Sequence, residues 1–208
     1  RTIGESSRNA KRPATDSQIC PKRTGNRPDS IRFFTPVRRT EALAEGAYRI
    51  QQKSQKEIDM ALLQKLWWWF FTQTFLRIRI PHTGFSSYVA SPLFILNGNG
   101  IRIARKVRIF PGCRMETHAA GRIKICENVS IGQHFHITCA ERELIIGANT
   151  TISGNVCVTN IDHEYKKLGI HILKQPHLIS ETRIGENCFI GYGVTIQAGT
   201  VLGRQCVV

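Results

Sequence analysis

The chain has 208 residues, a formal net charge of +14 and a hydrophobic content of 41%. This length and hydrophobic content fit one globular domain with a sizeable core, and they exclude a wholly disordered chain. The positive charge would suit nucleic acid, an anionic membrane face or phosphorylated small molecules, but no basic cluster is interleaved with stacking aromatic residues, which argues against nucleic acid.

Residues 1–59 are the first predicted segment. They are rich in Arg, Ser, Thr and Pro, they open without the apolar run of a secretory signal, and the first methionine is Met60. This composition predicts a disordered basic extension, which we interpret as dispensable and as a candidate for sequence outside the natural protein. Only residues 40–58 show weak helical spacing of apolar residues.

Residues 60–94 are predicted to be an aromatic-rich helical segment and a lead-in to the next region. Leucines at helical spacing precede the run Trp67-Trp68-Trp69-Phe70-Phe71. The uncharged stretch between Lys65 and Arg77 has eleven residues, which is too short to span a bilayer. Two alternatives follow: the aromatic run caps the open end of the following domain, or it rests in a membrane interface with cationic flanks.

Residues 95–208 carry the strongest pattern, an aliphatic residue at every sixth position, often followed by glycine. The clearest Ile-Gly pairs begin at Ile131, Ile146, Ile184 and Ile190. A period of six suits short strands joined by tight corners, which is the pattern of a parallel β-helix. Three such hexads, eighteen residues, are expected to complete one triangular coil.

The six-residue pattern is irregular at three places. It is loose near Ala119, an insertion near residues 140–143 resets its phase, and it breaks after His163, where residues 164–182 form a predicted loop. Because a loop of this length is uncommon in a tight repeat unless it covers a site, the break marks a candidate active site. The chain ends on Val208, which opens another hexad, so we expect the last coil to be incomplete.

Histidines and cysteines are the candidates for chemistry. A neutral imidazole such as that of His163 can take a proton from a hydroxyl near neutral pH, although a solvated loop histidine is the alternative. His134 and His136 alternate on a predicted strand; a metal site there would need a third ligand, such as Cys139, and the alternatives are contact with the acceptor or simple exposure. The seven cysteines include no CxxC pair, so we predict reduced packing cysteines and no metal.

With the hexads and His163 in view, the chain resembles the hexapeptide-repeat acyltransferases, which have a left-handed parallel β-helix and move acyl groups from coenzyme A. Within that family, residues 160–165 and 190–199 resemble O-acetyltransferases of bacterial surface polysaccharides. The resemblance covers residues 95–208. It implies an all-β repeat fold, a left-handed helix and a homotrimer whose sites lie between neighbouring subunits.

The resemblance also implies roles for particular residues. His163 matches the general base of the family, and Gln133 and Asn155 are assigned to the acceptor. Gly191, Tyr192 and Gly193 match the first contacts with acetyl-CoA, the expected co-substrate, while the later contacts would fall past the last residue.

The function that this resemblance predicts is acetyl transfer from acetyl-CoA to a sugar hydroxyl of a bacterial surface polysaccharide, such as an O-antigen in lipopolysaccharide biosynthesis, or of its lipid-linked precursor. We expect a cytoplasmic enzyme, with peripheral contact at the inner membrane face through residues 60–80 as an option. The alternatives are an N-acetyltransferase for a nucleotide-linked amino sugar and a non-catalytic β-helix scaffold.

Overall fold

The computed structural model describes residues 36–208, with side chains for Glu45 and residues 51–208. Helix α1 spans Pro36–Thr74, so residues 36–59 are helical where the sequence analysis expects a disordered extension. Alanine, glutamate, glutamine, lysine and arginine make up 14 of these 24 residues, and their helix propensity accounts for the difference. The predicted disorder of residues 1–35 lies outside the described residues, and the division into domains at residue 60 stays a prediction.

The last turns of α1 pack against the first coil of the β-helix. The backbone N–H of Val89 donates to Thr72 Oγ1 (3.0 Å), and Gln73 Nε2 donates to the carbonyl of Ser87 (3.0 Å). The ring of Trp68 lies 5.7 Å from that of Tyr88. One face of the helix therefore covers the first coil, as the capping alternative requires. Within residues 36–208, no helix is both long and apolar enough to cross a membrane.

The strands follow one another in three-strand coils. The first coil contains β1 His82–Thr83, β2 Tyr88–Val89 and β3 Phe94–Leu96. The second contains β4 Ile101–Ile103, β5 Arg108–Ile109 and β6 Arg114–His118. The third contains β7 Arg122–Ile125, β8 Ser130–Ile131 and β9 His136–Ala140, and the fourth contains β10 Glu143–Ile146, β11 Thr151–Ile152 and β12 Cys157–Thr159.

The later elements complete the order. A hairpin of β13 Ile161–His163 and β14 His177–Ile179 comes next, followed by the fifth coil, β15 Arg183–Ile184, β16 Phe189–Ile190 and β17 Thr195–Ile196. The sixth coil holds β18 Val201–Leu202 and a bridge from Val207 to the fifth coil. Short 3₁₀ turns cover Leu76–Ile78, Gly98–Gly100 and Ile172–Lys174.

Equivalent strands of successive coils pair in parallel and form three sheets. Sheet A contains β1, β4, β7, β10, β15 and β18; sheet B contains β2, β5, β8, β11 and β16; sheet C contains β3, β6, β9, β12 and β17. The predicted parallel β-helix is confirmed, but it starts at His82 and not at residue 95. The first coil escaped the pattern because Thr83 and Ser87, which are polar, occupy buried positions in it.

The strand register gives the length of each coil. Ile103 pairs with Ile125, Ile125 with Ile146, and Ile184 with Leu202, which are steps of 22, 21 and 18 residues. The predicted coil of eighteen residues is therefore too short for the first coil, where Thr83 pairs with Ile103 at a step of 20 residues, and for the second and third coils. The additional residues of the second and third coils lie around the corners that follow β6 and β9, where Ala119 is exposed with a φ of 51°.

Each sheet contributes a column of aliphatic side chains to the interior, and together the columns form one core. Burial of such a side chain is worth about 1.5–3 kcal/mol. The columns are Ile103, Ile125, Ile146 and Ile184 from sheet A; Val89, Ile109, Ile131, Ile152 and Ile190 from sheet B; and Ile95, Met115, Ile137, Val158 and Ile196 from sheet C.

The corners between sheets A and B explain the small residues of the repeat. Asn128 and Asn149 each adopt a φ of 58°, a left-handed conformation that asparagine tolerates better than most residues. Gly147 lies so close to the backbone of Gly185 in the next coil that a Cβ at Gly147 would collide with that backbone. Glycine there allows successive corners to stack.

Candidate active site

A β-hairpin leaves the β-helix between the fourth and fifth coils, where the sequence predicts a loop. Strands β13 and β14 pair antiparallel, with His163 opposite His177. At the base of the hairpin, the buried Asn160 accepts a hydrogen bond from the backbone N–H of Ala140 (2.8 Å) and donates one to the carbonyl of Ala140 (2.9 Å). This side chain ties the hairpin to the end of β9.

His163 and His177 contact each other through their rings. The ring centroids lie 4.6 Å apart and the ring planes are at 88°. The neighbouring backbone N–H of Glu164 donates to the carbonyl of Pro176 (3.1 Å), so the two histidines form the adjacent pair without backbone hydrogen bonds, in which facing side chains come closest. The hairpin therefore holds the His163 ring edge-to-face against a second imidazole.

The carboxylates beside His163 accept hydrogen bonds from backbone N–H groups and not from the His163 ring. Asp162 Oδ1 accepts a hydrogen bond from the backbone N–H of His163 (2.7 Å), and Glu164 Oε1 accepts from the backbone N–H of Lys166 (2.9 Å). The bond from Lys166 is the main reason that the pKa of Glu164 is lowered. His163 Nδ1 is buried without a hydrogen-bond partner among the described residues, so one nitrogen of the half-buried ring remains unpaired.

The residues predicted to bind acceptor and coenzyme lie together at the corner between sheets B and C. Gln133 and Asn155 occupy this corner in the third and fourth coils, and Asn155 Nδ2 donates to Tyr192 Oη in the fifth. Gly191 and Gly193 flank that tyrosine. Gln133, Asn155 and Tyr192 are all exposed.

This corner lies at the opposite end of sheet C from His163. Asn155 precedes β12 and Thr159 ends it, and four extended residues span about 13 Å. The structure thus brings the predicted binding residues together but does not bring them to His163 of the same chain. His134 also lies at this corner, with a φ of 55°, so its predicted place on one strand with His136 is wrong.

His177 is the residue of this site that the sequence analysis missed. Its place in the chain shows no repeat or motif, and only the register of the hairpin sets it opposite His163. Strand β14 has only three residues and no alternation of exposed and buried side chains, so the sequence gives too little to fix its register.

The cysteines show no sign of reactivity. All six cysteines from Cys113 to Cys206 are free, and burial raises the pKa of the Cys113 thiol to about 12. Within residues 36–208, no group of three or more His, Cys, Asp or Glu side chains could hold a metal ion.

Parts of the chain are similar to known acyltransferases. A family model described as the hexapeptide repeat of succinyl-transferase matches residues 181–208. The putative lipopolysaccharide biosynthesis O-acetyl transferase WbbJ of Escherichia coli (strain K12) is 26% identical over 125 residues, which are 56% of this chain and 63% of WbbJ. The chain therefore spans less than two thirds of this curated relative.

A solved acyltransferase structure has a similar fold. AntD, an N-acyltransferase from Bacillus cereus in complex with dTDP and 3-hydroxybutyryl-CoA, is similar with a TM-score of 0.51 and 16% identity, over 66% of this chain and 77% of AntD. The polysialic acid O-acetyltransferase OatWY reaches a TM-score of 0.42 at 23% identity, over 54% of this chain and 56% of OatWY. Only the likeness to AntD is close enough to bear on the fold.

Proposed function

We propose that the chain is a cytoplasmic, acetyl-CoA-dependent O-acetyltransferase that acts on a sugar hydroxyl of a bacterial surface polysaccharide or of its lipid-linked precursor. One observation carries the proposal: His163 sits on a hairpin that leaves a hexapeptide-repeat β-helix, and its ring is held in place by a second imidazole. The similarity to WbbJ supports the sugar acceptor and the O-acetyl product.

In the proposed reaction His163 acts as a general base. Its ring takes the proton of the acceptor hydroxyl as the oxygen attacks the thioester carbonyl, the new C–O ester bond forms, the C–S bond breaks, and the proton passes to the departing thiolate. Transfer is direct, so no acyl-enzyme and no nucleophilic side chain are needed. General-base catalysis of this kind is worth about 100- to 10,000-fold in rate.

We extend the proposal to a homotrimer with shared sites. Asn155, which contacts Tyr192, lies about 13 Å of strand from Thr159, after which the hairpin with His163 begins, so we infer that a neighbouring copy supplies one half of the site. Co-expression of His163→Ala with Asn155→Ala chains tests this. Mixed trimers should regain activity that neither variant has alone. If each site were formed by one chain only, the mixture would be as inactive as the two separate variants.

Peripheral membrane contact is part of the same proposal. The face of α1 turned away from the first coil, together with the following turn, exposes large apolar side chains by 48–81%. They are Leu62, Leu63, Leu66, Trp67, Phe70 and Ile78. Lys65, Arg77 and Arg79 flank them, as in interfacial helices. Flotation with phosphatidylglycerol vesicles should carry the protein upward and Trp67→Ser should weaken this; equal flotation of both proteins would refute the contact.

The decisive test follows coenzyme A release from acetyl-CoA with a thiol reagent in the presence of a panel of p-nitrophenyl glycosides. We expect release that depends on the glycoside, and a product that mild base cleaves, because an ester is labile where an amide is stable. A base-stable product on an amino sugar would replace O-acetylation by N-acetylation. No glycoside-dependent release from a folded protein that also retains no coenzyme A would favour a scaffold.

A further inference from the structure

Glu116 is a carboxylate in an unusual place, buried on the outer face of the β-helix. In β6 the side chains of Met115 and Thr117 point into the core, so Glu116 points outward, yet only 8% of its side chain is exposed. The carboxylates of two other ion pairs, Glu127 and Glu186, are exposed by 37% and 50%. A shielded carboxylate on an outer face requires partners, because burial removes its hydration.

Basic and polar side chains of sheet C provide those partners. Arg114 Nε donates to Glu116 Oε1, His118 Nε2 lies 3.2 Å from Glu116 Oε2, and His136 Nε2 lies 3.8 Å from Glu116 Oε1. His136 Nε2 also contacts Thr138 Oγ1 at 3.0 Å. The side chains of Arg114, His118 and His136 remain 40–48% exposed, so they present their remaining N–H groups to the surface.

Protonation in this cluster follows from its contacts. Burial raises the pKa of Glu116, but the hydrogen bonds and charges of Arg114 and His118 outweigh burial and leave the pKa below its ordinary value. The pKa of His136 is lowered by burial and by the charge of Arg114. The cluster is therefore an ionised carboxylate and a guanidinium beside the His136 imidazole, which favours the neutral form.

The register places this cluster between the two halves of the predicted site. Glu116 pairs with Thr138, and Thr138 pairs with Thr159, so Glu116 lies two strands, about 10 Å, from the end of β12. The hairpin with His163 leaves the β-helix directly after Thr159 and is tied to the end of β9. The corner with Gln133 lies at the other end of the same strands.

We propose that the cluster of Arg114, Glu116, His118 and His136 binds the acceptor sugar through its hydroxyl groups, with Glu116 as the principal specificity-determining residue. This inference rests on the proposed function and names the acceptor subsite of the same reaction. A sugar hydroxyl both donates and accepts, so a carboxylate beside guanidinium and imidazole N–H groups matches it. Because Arg114 balances the charge of Glu116, the cluster suits an uncharged sugar better than an anion.

Glu116→Gln tests the proposal, with Glu127→Gln as the matched control. Glu127 accepts from Arg105 Nε (2.9 Å) across two coils, but at the corner between sheets A and B, away from sheet C. Both variants and the wild-type chain are assayed with acetyl-CoA and the best p-nitrophenyl glycoside of the panel. We expect Glu116→Gln to raise the glycoside KM at least tenfold with the acetyl-CoA KM unchanged, and Glu127→Gln to change neither.

A second variant and a binding measurement distinguish loss of glycoside binding from misfolding and from loss of catalysis. His136→Gln should also raise the glycoside KM, since it removes a half-exposed ring and not a buried charge. Saturation-transfer NMR reports glycoside binding without acetyl-CoA. Loss of the signal in Glu116→Gln would support the subsite even if no acetyl transfer occurred, and would then refute only the proposed reaction. An unchanged glycoside KM in folded Glu116→Gln, or no glycoside signal with the wild-type chain, would overturn the subsite.

Discussion

Asn160→Ala should loosen the hairpin by removing its anchor. Asn160 is 1% exposed and makes two hydrogen bonds to the backbone of Ala140. Its loss leaves the buried N–H of Ala140 unpaired, at about 1–3 kcal/mol, and removes a second bond worth about 1 kcal/mol, because the carbonyl of Ala140 still accepts from Arg142. We therefore expect the free energy of unfolding to fall by about 2–4 kcal/mol.

Urea denaturation measures that loss, and amide hydrogen exchange locates it. Exchange should accelerate in β13 and β14 while the strands of sheet B stay protected. Asn99→Ala is the control, because Asn99 is exposed and its side chain makes no hydrogen bond within residues 51–208; its effect should stay within about 0.5 kcal/mol. A loss below about 1 kcal/mol in Asn160→Ala, or unchanged exchange in the hairpin, would refute the anchoring role.

His163→Ala should lower kcat by about 100-fold or more and leave the acetyl-CoA KM nearly unchanged, because the imidazole acts mainly in the transition state. Steady-state kinetics measure both constants, and a kcat near the wild-type value would contradict the role of His163 as the base. His177→Ala should lower kcat about tenfold, because it removes a contact that positions His163. His177→Phe, which keeps an edge-to-face ring, should recover most of the lost rate, and Leu178→Ala on the opposite face should match wild type. Because the pKa of Glu116 and that of His136 are both lowered in the folded state, the unfolded state binds more protons and stability falls with acidification. Thermal melts should show a flatter pH dependence below about pH 4.5 for Glu116→Gln and below about pH 6.5 for His136→Gln, and curves parallel to wild type would exclude these groups as the cause.

The fold was predictable because the repeat places a core side chain at every sixth residue. Ile131, Ile137 and Ile152 were placed inward by spacing alone, and all are buried. The first coil was missed because buried Thr83 and Ser87 use hydrogen bonds where the later coils use aliphatic contacts. Helix α1 was placed too late because its first half has helix propensity with little apolar periodicity.

The site was only partly predictable, because it depends on contacts between residues that are distant in the chain. The break after His163 located the candidate base, but its neighbour His177 is fourteen residues further on and meets it only through a hairpin register. Glu116 shows no motif at all. Its burial results from side chains on two strands of sheet C, and spacing within a single hexad carries no information about pairs across coils.

A β-helix whose interior is packed with side chains can bind substrates only on its outer surface, and this accounts for the position of the candidate site. The inward side chains are mostly aliphatic and buried, so the proposed sugar and thioester would have to meet on an outer surface, where water competes with the sugar as the acyl acceptor. Water and a sugar hydroxyl are chemically alike, so selectivity depends on holding the sugar against His163 and excluding water from that position. His177 contacts one side of the proposed base, and the cluster around Glu116 offers the proposed place for the sugar on the adjoining strands. His163 nevertheless remains partly exposed in a single chain, and the residues proposed for the coenzyme lie at the far end of sheet C. A neighbouring copy packed at this edge would close the open side and supply the coenzyme corner at once, so the shared site of the proposed trimer meets both requirements with one contact.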